Sequence, residues 1–180
     1  MKKSILTLIL LAVYSAAFAQ KSNPDTEIKK LGPKPFFVVN DKKATTAMIK
    51  DLPSDSVTVV TLLYDTAATN RYGDAAKDGL VMIETRSYAK SKFISYFKKV
   101  SPEFDQLYTS QKNDQNFVYI LNDKIQKGNY EGNLSTIGDK EFIKLEIISA
   151  EQLKTNYNIE DKQYGIVVQA IKPEEKKEKP

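Results

Sequence analysis

Acid–base chemistry in this 180-residue chain would fall to carboxylates, tyrosines and lysines, because the sequence contains no histidine and no cysteine. That composition excludes a Ser-His-Asp arrangement, a thiol nucleophile and a His-bearing zinc site. What is left is a carboxylate pair of the glycosidase type, for which Glu131 in "NYEGN" and Glu151 in "SAEQL" are the candidates. Both stand among lysines at ordinary surface spacing, the pattern of solvated faces. Gly73 and Gly79 fit neither G-x-x-x-x-G-K-S/T nor G-x-G-x-x-G, so no phosphate loop is present. The expectation is a non-enzymatic protein with no cofactor and no bound metal. Asp65 and Asp74, which flank a short helix-forming stretch, are assigned to capping and turn formation.

The two ends bound the part of the chain that must position such residues. Lys2 and Lys3 precede an apolar run from Ile5 to Tyr14, followed by Ala17-Phe18-Ala19; this reads as a signal peptide over residues 1–19 with cleavage before Gln20. The run is far shorter than the roughly 20 residues needed to cross a bilayer. With no cysteine after the cleavage site to carry a lipid, the expected location is the periplasm. Residues 20–34, "QKSNPDTEIKKLGPK", read as a polar linker, and residues 173–180 as a disordered tail of mixed charge. The formal charge of +4 falls to +2 without Lys2 and Lys3, too mild to argue for a nucleic-acid partner.

Between the ends an internal repeat organises the sequence. "FFVVND" (Phe36 to Asp41) recurs as "VYILND" (Val118 to Asp123). Each copy then runs through a polar segment, a β-rich stretch ("SVTVVTLL" or "EFIKLEII"), a tyrosine (Tyr72 or Tyr157) and a glycine followed by aliphatics ("GLVMI" or "GIVV"). In the first copy, Phe36 to Val39 is a short strand, Asn40-Asp41 supplies turn chemistry, and Ala44 to Leu52 is a modest helix stopped by Pro53. Val57 to Leu63 is nearly continuous in aliphatic and β-branched residues, as suits a strand covered on both faces. Asp65 is placed at the N-cap of the next helix, Ala67 and Ala68 allow it to pack closely, Gly73 stops it, and Gly79 opens a last strand from Leu80 to Thr85. The fold class is thus α/β (α+β), with two tandem small units of mixed sheet and helices, residues 35–86 and 116–172.

The stretch Tyr64 to Arg86 is similar, without a gap, to the plug-domain segment of TonB-dependent outer-membrane receptors from the Bacteroidota. That family runs from a strand through Lys-Asp, small residues, Ala-Thr, Tyr-Gly and Asn-Gly to a Val/Ile strand ending in Thr-Lys, with a P-x-x-x-x-D-G hairpin upstream. Here the matching residues are Pro35 with Asn40-Asp41, then Asp65, Ala68, Thr69, Tyr72, Gly73, Gly79 and Thr85-Arg86. Ala75-Ala76 stand where the family commonly has Arg-Gly, Asp78 replaces its Asn, and the second copy keeps little beyond Tyr157 and Gly165. The receptors continue into a barrel of many strands, for which this chain has no length. The resemblance implies two plug-like units in a periplasmic protein that occludes or gates an outer-membrane β-barrel supplied by another chain. Stand-alone plug subunits of the type IX secretion translocon are similar in kind. A partner interface is placed in the turn beside Arg71, Tyr72 and Asp74, since loops at strand ends are free to vary while the sheet is held by packing. The second reading is a periplasmic adaptor or sensor that uses the same fold to bind another protein or a small ligand.

Residues 87–115 are read as a helical connector between the copies. Phe93, Phe97 and Val100 share one helical face, Ser101-Pro102-Glu103 supplies an N-cap with proline at the first helical position, and Phe104, Leu107 and Tyr108 resume the stripe. Two roles stay open for these aromatics: cover for the two sheets, or a surface presented to a partner.

Overall fold

The computed structural model describes residues 29–171, so the signal peptide, the start of the linker and the tail lie outside the described residues. Two units divide between Ala89 and Lys90. The first is built from β1 (Phe36–Val39), β2 (Lys42–Ala44), α1 (Thr46–Lys50), β3 (Val57–Leu63), α2 (Asp65–Tyr72) and β4 (Leu80–Thr85). Helix α3 (Arg86–Val100) leads into the second, which continues with α4 (Pro102–Gln111), β5 (Phe117–Leu121), β6 (Lys124–Ile125), α5 (Tyr130–Ser135), β7 (Phe142–Ser149), α6 (Ala150–Tyr157) and β8 (Tyr164–Ala170).

The two four-stranded sheets have one topology. Their orders are β2-β1-β4-β3 and β6-β5-β8-β7, with an antiparallel hairpin, a central parallel pair and an antiparallel edge in each. Even the irregularities coincide. Strand β3 slips register between Val57 and Val59 opposite Thr85 and Glu84, and β7 slips between Phe142 and Lys144 opposite Ala170 and Gln169. Shared bulges at matching rungs are specific features rather than noise, and the two units are therefore copies of one architecture.

The hairpins follow from their turn residues. Asn40 and Asp41 have φ 50° and 61°, and Asn122 and Asp123 have φ 48° and 63°, the double left-handed conformation that a two-residue hairpin needs and that Asn and Asp tolerate.

Each sheet is covered on both faces. In the first unit Val38, Leu80 and Met82 pack with Ala68 of α2, while Val81 and Ile83 pack with Ile49 of α1, Val57 and Val60. In the second, Ile120 and Val167 pack with Leu153 of α6. The opposite face of that sheet carries Phe93, Phe97 and Phe104 against Phe117, Ile166 and Leu134.

Residues 87–115 hold the two expected helices, and of the two roles left open for their aromatics the structure shows cover, of one sheet rather than two. Phe93, Phe97 and Phe104 are fully buried, and α3 beyond Ala89 together with α4 belongs to the second unit as the cover of one sheet face. The N-cap expected at Ser101 is present: its Oγ accepts the Phe104 N–H at 3.2 Å, with Pro102 at the first helical position.

Other boundaries moved. The helix expected over Ala44 to Leu52 is shorter, because Lys42–Ala44 joins the sheet as β2 and the Thr45 side chain caps α1 by accepting the Met48 N–H at 3.3 Å. Asp65 is not the N-cap of α2. Tyr64 holds that position in extended conformation (φ −125°, ψ 161°) and its carbonyl takes the Ala67 N–H, so Asp65 becomes the first helical residue with φ 47°. Ala68 packs on the sheet as expected, while Ala67 faces solvent.

Candidate functional site

The residues expected at a partner interface cluster where α2 ends. Arg71 is in the last turn, where a cation is favourable at the negative end of the helix, and is exposed. Gly73 then terminates α2: it takes φ 63°, ψ −157°, a conformation essentially restricted to glycine, and its N–H reaches the Thr69 carbonyl. Asp74 follows, exposed, in the 3-10 turn Gly73–Ala76. Arg71 and Asp74 thus present opposite charges to solvent three residues apart on one corner.

Tyr72 turns the other way. Its ring lies 5.1 Å from that of Phe36, in the apolar cluster with Val38, Ala76 and Leu80. Its half-buried ring anchors the corner to the sheet, and the charges beside it remain outside.

Asp65 sits at the opposite end of α2, so the structure does not bring it together with Arg71 and Asp74. Gly79 has φ 95° just before β4, and a side chain there would meet the Leu31 Cδ2 at 2.5 Å. It shapes the entry to the strand and contributes no chemistry. Glu131 and Glu151 are each in the first turn of a different helix, α5 and α6, where an acidic side chain suits the helix dipole. Among the described residues, no cluster of three or more carboxylates is placed to hold a metal ion.

A polar group inside the second unit escaped the sequence reading. The Asp114 side chain is buried (8 % exposed); one carboxylate oxygen receives the Lys90 ammonium at 2.6 Å and the other the Tyr119 hydroxyl at 3.3 Å. Both oxygens are engaged, so the carboxylate has the compensation a buried charge requires. Burial pulls Lys90 down, but the hydrogen bond and charge of Asp114 outweigh it and leave its pKa above the ordinary value. Burial, reinforced by the Asp114 charge, pushes the Tyr119 hydroxyl far up, and burial raises Tyr130 as well. None of these shifts brings a group toward neutrality, where a general acid or base would be tuned. The only sequence signal was Tyr119 within the strand; Lys90 and Asp114 are 24 residues apart and meet only through the fold.

Beside this group is a cleft of about 650 Å³. The rings of Tyr119 and Tyr130, stacked at 5.5 Å and 18°, contribute to one wall. Val118, Ile125, Tyr157 and Ile159, which share the apolar cluster on the other face of the sheet, also line it. Its volume is in the range of ligand-binding clefts and its lining mixes aromatic surface with polar groups.

No family model, no curated protein and no solved structure matches this chain. Its reading therefore rests on its own residues and geometry.

Proposed function

We propose that this protein is a non-enzymatic, periplasmic plug-type subunit that binds an outer-membrane β-barrel and occludes or gates its pore. The observation that carries the reading is the corner after α2. The residues behind the resemblance to receptor plug domains hold structural posts in the first unit: Gly73 at the helix stop and Gly79 at the entry to β4, beside this corner, and Asn40-Asp41 in the hairpin at the other end of β1. Arg71 and Asp74 are left facing water.

A removable plug needs an interface that is polar and wet rather than a cut-open core. A mean hydropathy of −0.43 is compatible with that requirement. So is an exposed surface on which Met48, Ile143 and Ile171 are the exposed large hydrophobic residues among those described. The type IX secretion translocon is the candidate assembly for such a subunit.

Deleting the gene while the barrel remains tests this reading. Cells should become more permeable to antibiotics too large for ordinary porins, and expression of the intact protein should restore exclusion. Unchanged permeability would favour the second reading, an adaptor or sensor, for which the cleft of the second unit is the supporting observation.

A further inference from the structure

The two copies fill one position differently. Phe36, four residues before Asn40, corresponds to Val118, four residues before Asn122. Each packs on the same sheet face as the last residue of the covering helix, Tyr72 of α2 or Tyr157 of α6. In the first unit the Phe36 ring lies 5.1 Å from the Tyr72 ring, tilted by 37°, and the Lys43 ammonium stands 5.4 Å from its centre. In the second unit valine brings no ring to this position. Its cross-strand surroundings change as well: Val38 pairs with Lys43, whereas its counterpart Ile120 pairs with Ile125, so an apolar side chain replaces the cation.

At a neighbouring point the copies exchange volume and stay filled. Leu80, opposite Phe36, corresponds to Gly165, opposite Val118, while Ala68, the fourth residue of α2, corresponds to Leu153, the fourth of α6. Leu153 takes up the space that glycine leaves, since a Cβ on Gly165 would meet its Cδ2 at 2.7 Å. The ring missing at residue 118 is not replaced in this way. Val118, Ile125, Tyr157 and Ile159 are all half-buried and line the 650 Å³ cleft, so the place beside Tyr157 is open. A half-exposed aromatic ring in a cleft of this size suits a second planar ring, because aromatic pairs gain more than the area they remove from water.

We propose that the cleft of the second unit binds a small planar aromatic molecule, whose ring takes beside Tyr157 the place that Phe36 takes beside Tyr72. The comparison of the copies also fixes the ligand's chemistry. Ile125 in place of Lys43 makes the surroundings of the ring apolar, so the ring itself is uncharged. The cleft is larger than one ring, and its lining includes Lys127 and Asn158, so the molecule carries a hydrogen-bonding group as a phenol or an indole does. This site is independent of the corner at Arg71 and Asp74 and does not rest on the plug reading.

The test titrates the isotopically labelled protein, purified from its exported form, with indole and p-cresol, and with cyclohexanol as a non-aromatic control of similar size. The aromatic probes should produce saturable shifts of the Val118, Ile125 and Tyr157 amide resonances and bind at least tenfold more tightly than cyclohexanol. Val118→Phe supplies the missing ring from within the chain and should abolish indole binding, while Glu103→Lys on α4 should leave it unchanged. Tyr157→Leu keeps an apolar side chain without the ring and should weaken indole binding more than tenfold; it keeps the test decisive if Val118→Phe does not fold. Four results would overturn the proposal. These are no saturable shift from either aromatic probe, equal affinity for cyclohexanol, undiminished binding in folded Val118→Phe or in Tyr157→Leu, and shifts produced by the peptide Gly-Gly-Phe-Gly-Gly but not by the free rings, which would mark a protein partner.

Discussion

Asn40 clamps Thr85 across the end of the first sheet: its Oδ1 accepts the Thr85 N–H at 2.9 Å and its Nδ2 donates to the Thr85 Oγ1 at 3.1 Å. The second copy repeats the device. Asn122 accepts the Ala170 N–H at 3.0 Å and donates to the Ala170 carbonyl at 2.9 Å. A hairpin turn residue thereby fastens the far end of the parallel neighbour strand, β4 or β8. Asparagine meets both demands, tolerating positive φ while offering one acceptor and one donor.

Replacing either clamp should cost more than one hydrogen bond. Asn122→Ala loses two bonds and puts a residue without asparagine's tolerance of the left-handed region at φ 48°, so a loss of about 2–3 kcal/mol is expected. Asn122→Gly, which keeps the turn but not the bonds, should lose about half as much. Urea unfolding of both variants measures the difference; no loss in Asn122→Gly would mean that the clamp bonds contribute nothing.

The aromatic face of α3 and α4 should behave as core of the second unit. Phe97→Ala removes a fully buried ring from the cluster with Phe93 and Phe104, a change expected to cost about 3–5 kcal/mol. A fragment of residues 86–171 should unfold cooperatively, whereas one of residues 116–171 should not. Cooperative unfolding of the shorter fragment would mean that α3 and α4 only connect the copies and are not part of the second unit's core.

Glycines that look equivalent in the sequence should respond differently. A methyl at Gly165 would meet the Ile148 Cγ1 at 2.5 Å and the Leu153 Cδ2 at 2.7 Å, so Gly165→Ala should cost about 1–3 kcal/mol through overpacking. Gly128 has φ 66° and open space around it, so Gly128→Ala should cost about 1 kcal/mol from backbone strain alone. Thermal unfolding of the two variants separates these cases.

Stability should fall in alkali. Tyr88 is pushed up to about 12 by its hydrogen bond to Asp41, then by burial and by the Asp41 charge; Lys90, Tyr119 and Tyr130 are raised too. A group whose folded pKa lies above its unfolded value contributes stability that is complete below the unfolded value and is lost above it. With ordinary values of 10.0 for tyrosine and 10.5 for lysine, and no histidine, Tm should be nearly flat from about pH 6 to pH 9 and drop above about pH 10. A midpoint near neutrality in the Tm profile would contradict this origin.

How much of this was legible depended on which interactions were local. Strands β3 and β4 have the bounds expected from Val57 to Leu63 and Leu80 to Thr85, because runs of aliphatic and β-branched residues specify buried strands directly. The Asn-Asp turns and the glycine stop at Gly73 were legible for the same reason. Strands β2 and β6 were not, since "KKA" and "KI" carry no alternation and are strands only because β1 and β5 pair with them. The glycine matched between the copies was also misaligned by one residue. Gly165 pairs with Val118 in the rung where Leu80 pairs with Phe36, so Tyr164, not Gly165, is the counterpart of Gly79. The corner at Arg71 and Asp74 could be read from the sequence as a turn, but the inward direction of Tyr72 depends on Phe36 across the sheet. The Lys90–Asp114–Tyr119 group and the cleft beside it join segments that only the folded second unit brings together.

The central claim, a plug-type contact with a membrane barrel, is tested most directly by photocrosslinking in living cells. A photoreactive residue is placed at Arg71 or Asp74, with Glu103 on α4 as the control, and adducts from the outer-membrane fraction are identified by mass spectrometry. The account predicts adducts with a transmembrane β-barrel protein from positions 71 and 74 and none from position 103. Adducts with a soluble periplasmic protein alone, or none from either position, would contradict it.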